Sequence, residues 1–114
     1  MSAVERTFVS RARLTELYYT AHYEAGNVGE CLAAGASYAS ELRKNPSVRR
    51  RDYRLVEVLQ QCATLGLETG AADIYAIIEQ LNEASEVAAH SPEDDDDWAL
   101  LRIDVKLSLI HISE

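Results

Sequence analysis

The chain has 114 residues, of which 47% are hydrophobic, and it carries a formal net charge of −8. This length is enough for one modest core, and the apolar fraction excludes a disordered polymer. Because excess acid repels phosphate groups, the charge argues against binding to nucleic acid or to an anionic membrane. Only two prolines and five glycines occur, which favours helices and predicts an all-α fold.

The cysteines and the N-terminal residues indicate the cellular compartment of the protein. Cys31 and Cys62 do not form a CxxC motif, and no pair of histidines has ligand spacing near them. Two ordinary reduced thiols are typical of a cytoplasmic protein. No apolar run of a signal peptide follows the first charges, and no stretch approaches the ~20 apolar residues of a membrane span.

The first predicted helix extends from Ser2 to about residue 25. Ser2 is predicted to cap it, because Glu5 follows at the spacing of a capping box. Apolar side chains recur along it at helical intervals, namely Val4, Phe8, Ala12, Leu14, Leu17, Tyr18, Ala21 and Ala25. Gly26 ends the helix, since glycine tolerates the left-handed conformation that closes one.

The second and third helices are separated by a polar break. Asn27 is predicted to cap the second helix, which runs to about Lys44 and ends at 45–46, an Asn-Pro pair. The third helix is predicted to begin with Ser47 as its N-cap and to run to about Leu67. Thr-Gly at 69–70 ends it.

The fourth predicted helix covers about residues 71–89 and has the clearest apolar stripe. Its members are Ile74, Ile77, Ile78, Leu81, Ala84 and Ala88. The acidic run at 93–97 then has two interpretations. With Ser91 as cap and Pro92 in the first helical position, the acids occupy a first turn, where they suit the helix dipole. We therefore predict a fifth helix over 92–106, and a linker is the alternative.

The last eight residues, 107–114, read Leu-Ser-Leu-Ile-His-Ile-Ser-Glu. They resemble the translation of a transposase-type sequencing-library adaptor. This resemblance implies a non-native tail at 107–114 and a single helical-repeat domain over 1–106 that is truncated at its C-terminus. A truncated array exposes an apolar end, so we expect self-association through the C-terminal helix face.

Two pairs of residues at predicted helix ends or starts are separated by the same number of positions. Gly26 and Gly70 are 44 positions apart, and so are Ser47 and Ser91. A long helix, a glycine turn, a second helix and a polar break, repeated, predict antiparallel helical hairpins that stack.

The residues around the first turn, 23–27 with 30–32 and the later 45–46, resemble the turn region of a tetratricopeptide-like repeat over about residues 12–46. This resemblance implies a short tetratricopeptide-like α-solenoid of about five helices. It also implies a protein-protein interaction module, a scaffold or chaperone-like adaptor, that binds a peptide or helix on its hairpin surface. The period here is longer than the ~34 residues of that family.

The tyrosines of the first helix are candidate contact residues. Tyr18 and Tyr19 are consecutive and cannot share one helix face, so at least one points outward. Tyr19 and Tyr23 are predicted to form a peptide-contact strip, and packing between hairpins is the alternative. The predicted partner-binding residues are Arg13, Glu16, Tyr19, Thr20 and Tyr23 and, one period along, Glu57, Gln60 and Thr64.

A basic cluster of Arg49, Arg50, Arg51 and Arg54 lies near the start of the third helix, where the dipole disfavours cations. It is predicted to bind an acidic partner, a phosphate or the chain's own acids at 94–97. A solvated face with Asp52 as counter-charge is the alternative.

No enzymatic motif is present, so we assign no catalytic residue, no cofactor and no metal. His22 and His90 each lack converging ligands. Two further functions remain open: a small acidic inhibitor or immunity-type protein that acts by charge mimicry, and a regulatory fragment of a larger protein.

Overall fold

The computed structural model describes the backbone of residues 3–113 and the side chains of residues 11–112. This part of the chain forms five helices and contains no strand, which confirms the predicted all-α fold. The helices are α1 (Ala3–Ala25), α2 (Val28–Lys44), α3 (Arg51–Thr69), α4 (Ile74–Ala89) and α5 (Asp96–Ser113). The predicted cap Ser2 lies outside the described residues, as do the side chains of Val4, Glu5 and Phe8.

The chain divides into two compact units, Met1–Leu55 and Val56–Glu114. In the first unit, α1 and α2 pack together as a hairpin. Gly26 closes the turn with a φ of +74°, which glycine adopts without a Cβ penalty. Asn27 occupies the cap position of α2, but its side chain contacts Nδ1 of His22 at 3.2 Å and caps no backbone N–H. The predicted side-chain cap is therefore wrong.

The hairpin buries one face of each helix. Its buried apolar side chains are Ala12, Tyr19, Cys31, Tyr38, Ala39 and Leu42. Leu42 has no exposed surface, and burying such a side chain stabilises the fold by about 2 kcal/mol.

The segment after α2 differs from the prediction. α2 ends at Lys44 as expected, but α3 begins only at Arg51, so Ser47 does not cap it. The physical reason is Asn45, which is buried and whose Oδ1 accepts the backbone N–H of Ser47 at 3.2 Å. This side-chain turn competes with a helix. Arg50 then adopts a left-handed φ of +55° before α3 starts.

In the second unit, the break after α3 is confirmed, since Gly70 has a φ of +69°. α4 begins at Ile74, three residues later than predicted. The reason is that Asp73 caps it and accepts the backbone N–H of Tyr75 at 3.4 Å.

The core of this unit joins three helices. Ala63 of α3 and Ile77 and Leu81 of α4 are buried together. Leu67, Ala72, Leu109 and Ile112 pack against them. The predicted stripe of α4 is confirmed at Ile77, Leu81, Ala84 and Ala88, which are buried, whereas Ile74 is 41% exposed.

α5 confirms the fifth helix and excludes a linker, but it begins at Asp96 instead of 92. Asp95 is its cap, because Oδ1 of Asp95 accepts a first-turn backbone N–H at 3.1 Å. Ser91 and Pro92 precede the helix and bind Arg102, which donates hydrogen bonds to the Ser91 hydroxyl and the Pro92 carbonyl. Ser91 is therefore not the cap.

The predicted apolar face of α5 is buried at Trp98, Leu101 and Val105. The helix continues through residues 107–113. The adaptor-like sequence thus adopts helix, and its assignment as a non-native tail stays a prediction.

Candidate functional site

The carboxylate of Glu16 on α1 accepts hydrogen bonds from three side chains of the first unit. Nη1 of Arg13 donates to its Oε1 at 2.5 Å, and the Tyr38 hydroxyl donates to its Oε2 at 3.2 Å. Arg54 also donates to Oε2, while its Nε donates to the backbone carbonyl of Arg49 at 2.9 Å. One carboxylate therefore links α1, α2 and the first turn of α3.

The surroundings of two of these donors, Tyr38 and Arg54, raise their pKa values. Burial raises the pKa of Tyr38, so that its phenol remains a neutral O–H donor through neutral pH. The pKa of Arg54 is raised chiefly by its side-chain hydrogen bond with Tyr38, and the charge of Glu16 adds to the effect. Since the Arg54 side chain is 36% exposed, water screens its ion pair, which contributes at most about 1 kcal/mol.

A cavity of about 300 Å³ opens beside this cluster. Its polar lining consists of Arg13, Glu16, Tyr38, Ser47, Arg49 and Arg54. The lining thus includes three arginines and one glutamate, and these residues carry a formal charge of about +2 in an otherwise acidic protein.

The four arginines of the predicted basic cluster have different neighbours, and the role of the cluster in binding an acidic partner stays a prediction. Arg51 pairs with Asp52 at 2.9 Å, as the counter-charge interpretation expected. Arg50 stacks over the Tyr53 ring at 4.2 Å from its centroid. Only Arg49 and Arg54 line the cavity, together with Arg13 of α1, which sequence analysis had placed in a different candidate set.

The tyrosine strip is corrected. Tyr19 is only 6% exposed, and its ring centroid lies 6.2 Å from that of Tyr38 and 6.0 Å from that of Tyr23. Tyr19 is therefore a packing residue and not an accessible contact. Tyr18 is the outward-facing neighbour, 58% exposed, whereas Tyr23 and Thr20 remain on the surface.

α1 carries a second apolar stripe that sequence analysis did not separate from the first. Leu14, Leu17 and Tyr18 follow at positions i, i+3 and i+4, and each is at least half exposed. Tyr18 also lines a groove of about 230 Å³ between α1 and α2. The rest of the groove lining consists of Thr15 and His22 of α1 and Glu30, Ala33, Ala34 and Ser37 of α2. The spacing of the stripe was the signal that could have shown it.

The three candidates of the second unit are half-buried. Nε2 of Gln60 donates to the Thr64 hydroxyl at 3.0 Å and to the Ser108 hydroxyl at 3.4 Å. Glu57 also has a partner. Gln60 and Thr64 thus take part in contacts within the unit, and the assignment of all three residues to a peptide surface stays a prediction.

α5 has a second apolar stripe as well. Leu100, Ile103, Leu107 and Ile110 are all more than half exposed. They share the helix side opposite the buried residues of α5, because their spacings of three and four return to one face. This is the surface on which the expected self-association depends.

Comparison of the chain with protein-family models, curated proteins and solved structures gives no match. Over residues 3–113, no helix has the length and apolar character needed to cross a bilayer. Within the same part of the chain, no three histidine, cysteine or acidic side chains are grouped to hold a metal ion. The class that the fold defines is an all-α protein containing helical hairpins, and the tetratricopeptide-like resemblance stays a prediction.

Proposed function

We propose that this chain is a protein-interaction module that binds an amphipathic helix of a partner on the outer face of the α1–α2 hairpin. The observation that carries the proposal is the exposed stripe of Leu14, Leu17 and Tyr18. Large apolar side chains grouped on a surface mark interaction sites, and tyrosine is favoured there for its apolar body and polar tip.

The adjoining groove supports a helix as the occupant. Its α2 side presents Ala33 and Ala34, whose small side chains let a second backbone approach closely. Apolar residues of a partner helix at i, i+3 and i+4 would meet the stripe in the helix-in-groove mode. Glu30 is the acidic residue of the groove lining, so the matching helix carries a basic residue beside its apolar face.

A selection from a random peptide library tests this function. The full chain is expected to enrich amphipathic peptides with a basic flank. Tyr18→Glu should weaken their binding more than about tenfold, which corresponds to about 1.4 kcal/mol. Tyr75→Glu is the matched control, because Tyr75 is 75% exposed on α4. Circular dichroism checks that both variants stay helical.

Two results would contradict the proposal. One is the absence of any enriched peptide. The other is equal affinity of the selected peptides for the Tyr18→Glu and Tyr75→Glu variants, because binding would then not involve the hairpin face.

A further inference from the structure

We infer that the cavity beside Glu16 is a second binding site, which takes the carboxylate side chain of an acidic segment of a protein partner. It shares no residue with the α1 stripe or the α1–α2 groove. The inference therefore stands independently of the proposed function of that face.

The charge balance of the cavity is the first observation. The carboxylate of Glu16 already accepts from Arg13, Arg54 and Tyr38, which accounts for one of the three guanidinium charges in the lining. Arg49 is the third arginine of the lining, and among the described residues its side chain forms no ion pair. The cavity thus retains positive charge that its own carboxylate does not neutralise.

The second observation is that the arginines of the cavity have more N–H donors than Glu16 uses. A guanidinium has five N–H donors in a planar fork that matches a carboxylate. Arg54 uses Nη1 for Glu16 and Nε for the Arg49 carbonyl, and Arg13 uses Nη1 for Glu16. Ser47 adds a hydroxyl to the lining. A guest anion can therefore accept several hydrogen bonds without breaking those that hold Glu16.

The size of the cavity and its hydrogen-bond donors suit a carboxylate side chain. A volume of about 300 Å³ lies at the small end of ligand pockets, which suits a side chain. The lining already binds one carboxylate, because that of Glu16 accepts hydrogen bonds from Arg13, Arg54 and Tyr38.

The turn that precedes α3 gives the cavity its geometry. The left-handed backbone conformation of Arg50 turns the chain between Arg49 and Arg54. The hydrogen bond from Nε of Arg54 to the backbone carbonyl of Arg49 stabilises that turn. Both arginines therefore reach the cavity from a short segment that is not a continuous helix.

A titration of the full ¹⁵N-labelled chain tests the inference. The probes are acetyl-Ala-Glu-Glu-Ala-amide, the matching peptide with glutamine in place of glutamate, and inorganic phosphate. We expect saturable shifts of the Arg49 and Arg54 Nε–H signals with the glutamate peptide. Its affinity should exceed that of the glutamine peptide by about tenfold, as charged hydrogen bonds imply.

Two variants distinguish binding at a defined site from non-specific electrostatic attraction of the peptide. Arg49→Gln should abolish saturation, and we expect this variant to fold because the Arg49 side chain is exposed. Arg51→Gln removes the same charge two positions away, from a side chain that pairs with Asp52, and should leave the affinity unchanged. Tyr18→Glu should also leave it unchanged, which separates this site from the α1 face.

Equal losses of affinity for the glutamate peptide in Arg49→Gln and Arg51→Gln would overturn the inference. The peptide would then be attracted by the general positive charge of the segment and not by a defined site. The absence of saturable shifts at both arginines would overturn it as well. Tighter binding of phosphate than of the glutamate peptide would contradict the assignment to a carboxylate.

Discussion

Arg54, in the first turn of α3, donates a hydrogen bond to the carboxylate of Glu16 on α1, which lies 38 residues earlier in the chain. Tyr38 of α2 reaches the same carboxylate oxygen. The Glu16 side chain is only 19% exposed, and its hydrogen bonds hold the three donors close to one another. This contact therefore joins the three helical segments of the first unit and forms one wall of the cavity.

A double-mutant cycle measures this contact. Glu16→Gln and Arg54→Gln should each lower the free energy of unfolding by about 1 kcal/mol, since the pair is partly screened by water. Their coupling energy should be at least about 0.5 kcal/mol in urea unfolding. Glu24→Gln, at an exposed position, is the control and should change little. Strictly additive effects would show that the two side chains do not interact.

Alkaline pH should destabilise the chain through Tyr38. Burial raises the pKa of its phenol above the ordinary 10.0, so the folded state holds this proton more tightly than the unfolded state. The resulting stability is fully present below pH 10 and is lost as pH rises through the folded pKa. Tyr38→Phe has no such proton, and its unfolding free energy should fall less steeply in this range.

Urea midpoints measured from neutral to alkaline pH check this prediction. Tyr75→Phe, at an exposed position of α4, should follow the slope of the unmodified chain. If Tyr38→Phe follows that slope too, the phenol of Tyr38 does not govern the alkaline loss.

Gly66→Ala should destabilise the second unit. A Cβ on Gly66 would lie 2.7 Å from the Cβ of Ala72, which is too close for two carbon atoms. Overpacking of this kind costs about 1–3 kcal/mol and outweighs the gain of up to about 1 kcal/mol in helix propensity. Thermal unfolding of the variant should therefore begin at a lower temperature.

Two further variants test the cause. Gly29→Ala in α2 meets no atom within 4 Å, so it should stabilise the chain through helix propensity alone. Adding Ala72→Gly to Gly66→Ala should restore stability. Failure of that rescue would mean that the clash with Ala72 is not the reason.

Self-association should depend on the exposed stripe of α5. Ile103→Glu places a charge in the middle of Leu100, Leu107 and Ile110 and should reduce the concentration-dependent mass seen by light scattering. Asn82→Glu adds the same charge at an exposed position of α4 and should have no effect. A monodisperse monomer at all concentrations of the unmodified chain would refute the prediction.

The helical spacing of the apolar residues and the glycines that follow α1 and α3 were sufficient to predict the five helices. α1 and α3 end immediately before Gly26 and Gly70, which both take a positive φ, because only glycine adopts it without strain. The buried Trp98, Leu101 and Val105 follow from one apolar period on α5. These features are local, so neighbouring residues determine them.

Helix starts were less predictable, because several polar residues compete for each N-terminus. Ser47 and Ser91 have good capping side chains, yet α3 starts at Arg51 and Asp95 caps α5. Buried Asn45 holds the backbone of Ser47 in a turn. Burial of that asparagine is a consequence of packing and cannot be deduced from spacing.

The sequence by itself determined that α1 is a helix with apolar residues on more than one side. Only the tertiary structure decided that Ala12 and Tyr19 pack inward, while Leu14, Leu17 and Tyr18 stay exposed. Both sets repeat with the same helical period, so periodicity cannot rank them. The choice depends on which set fits the surface of α2, and a contact such as that of Glu16 with Arg54 exists only after that choice is made.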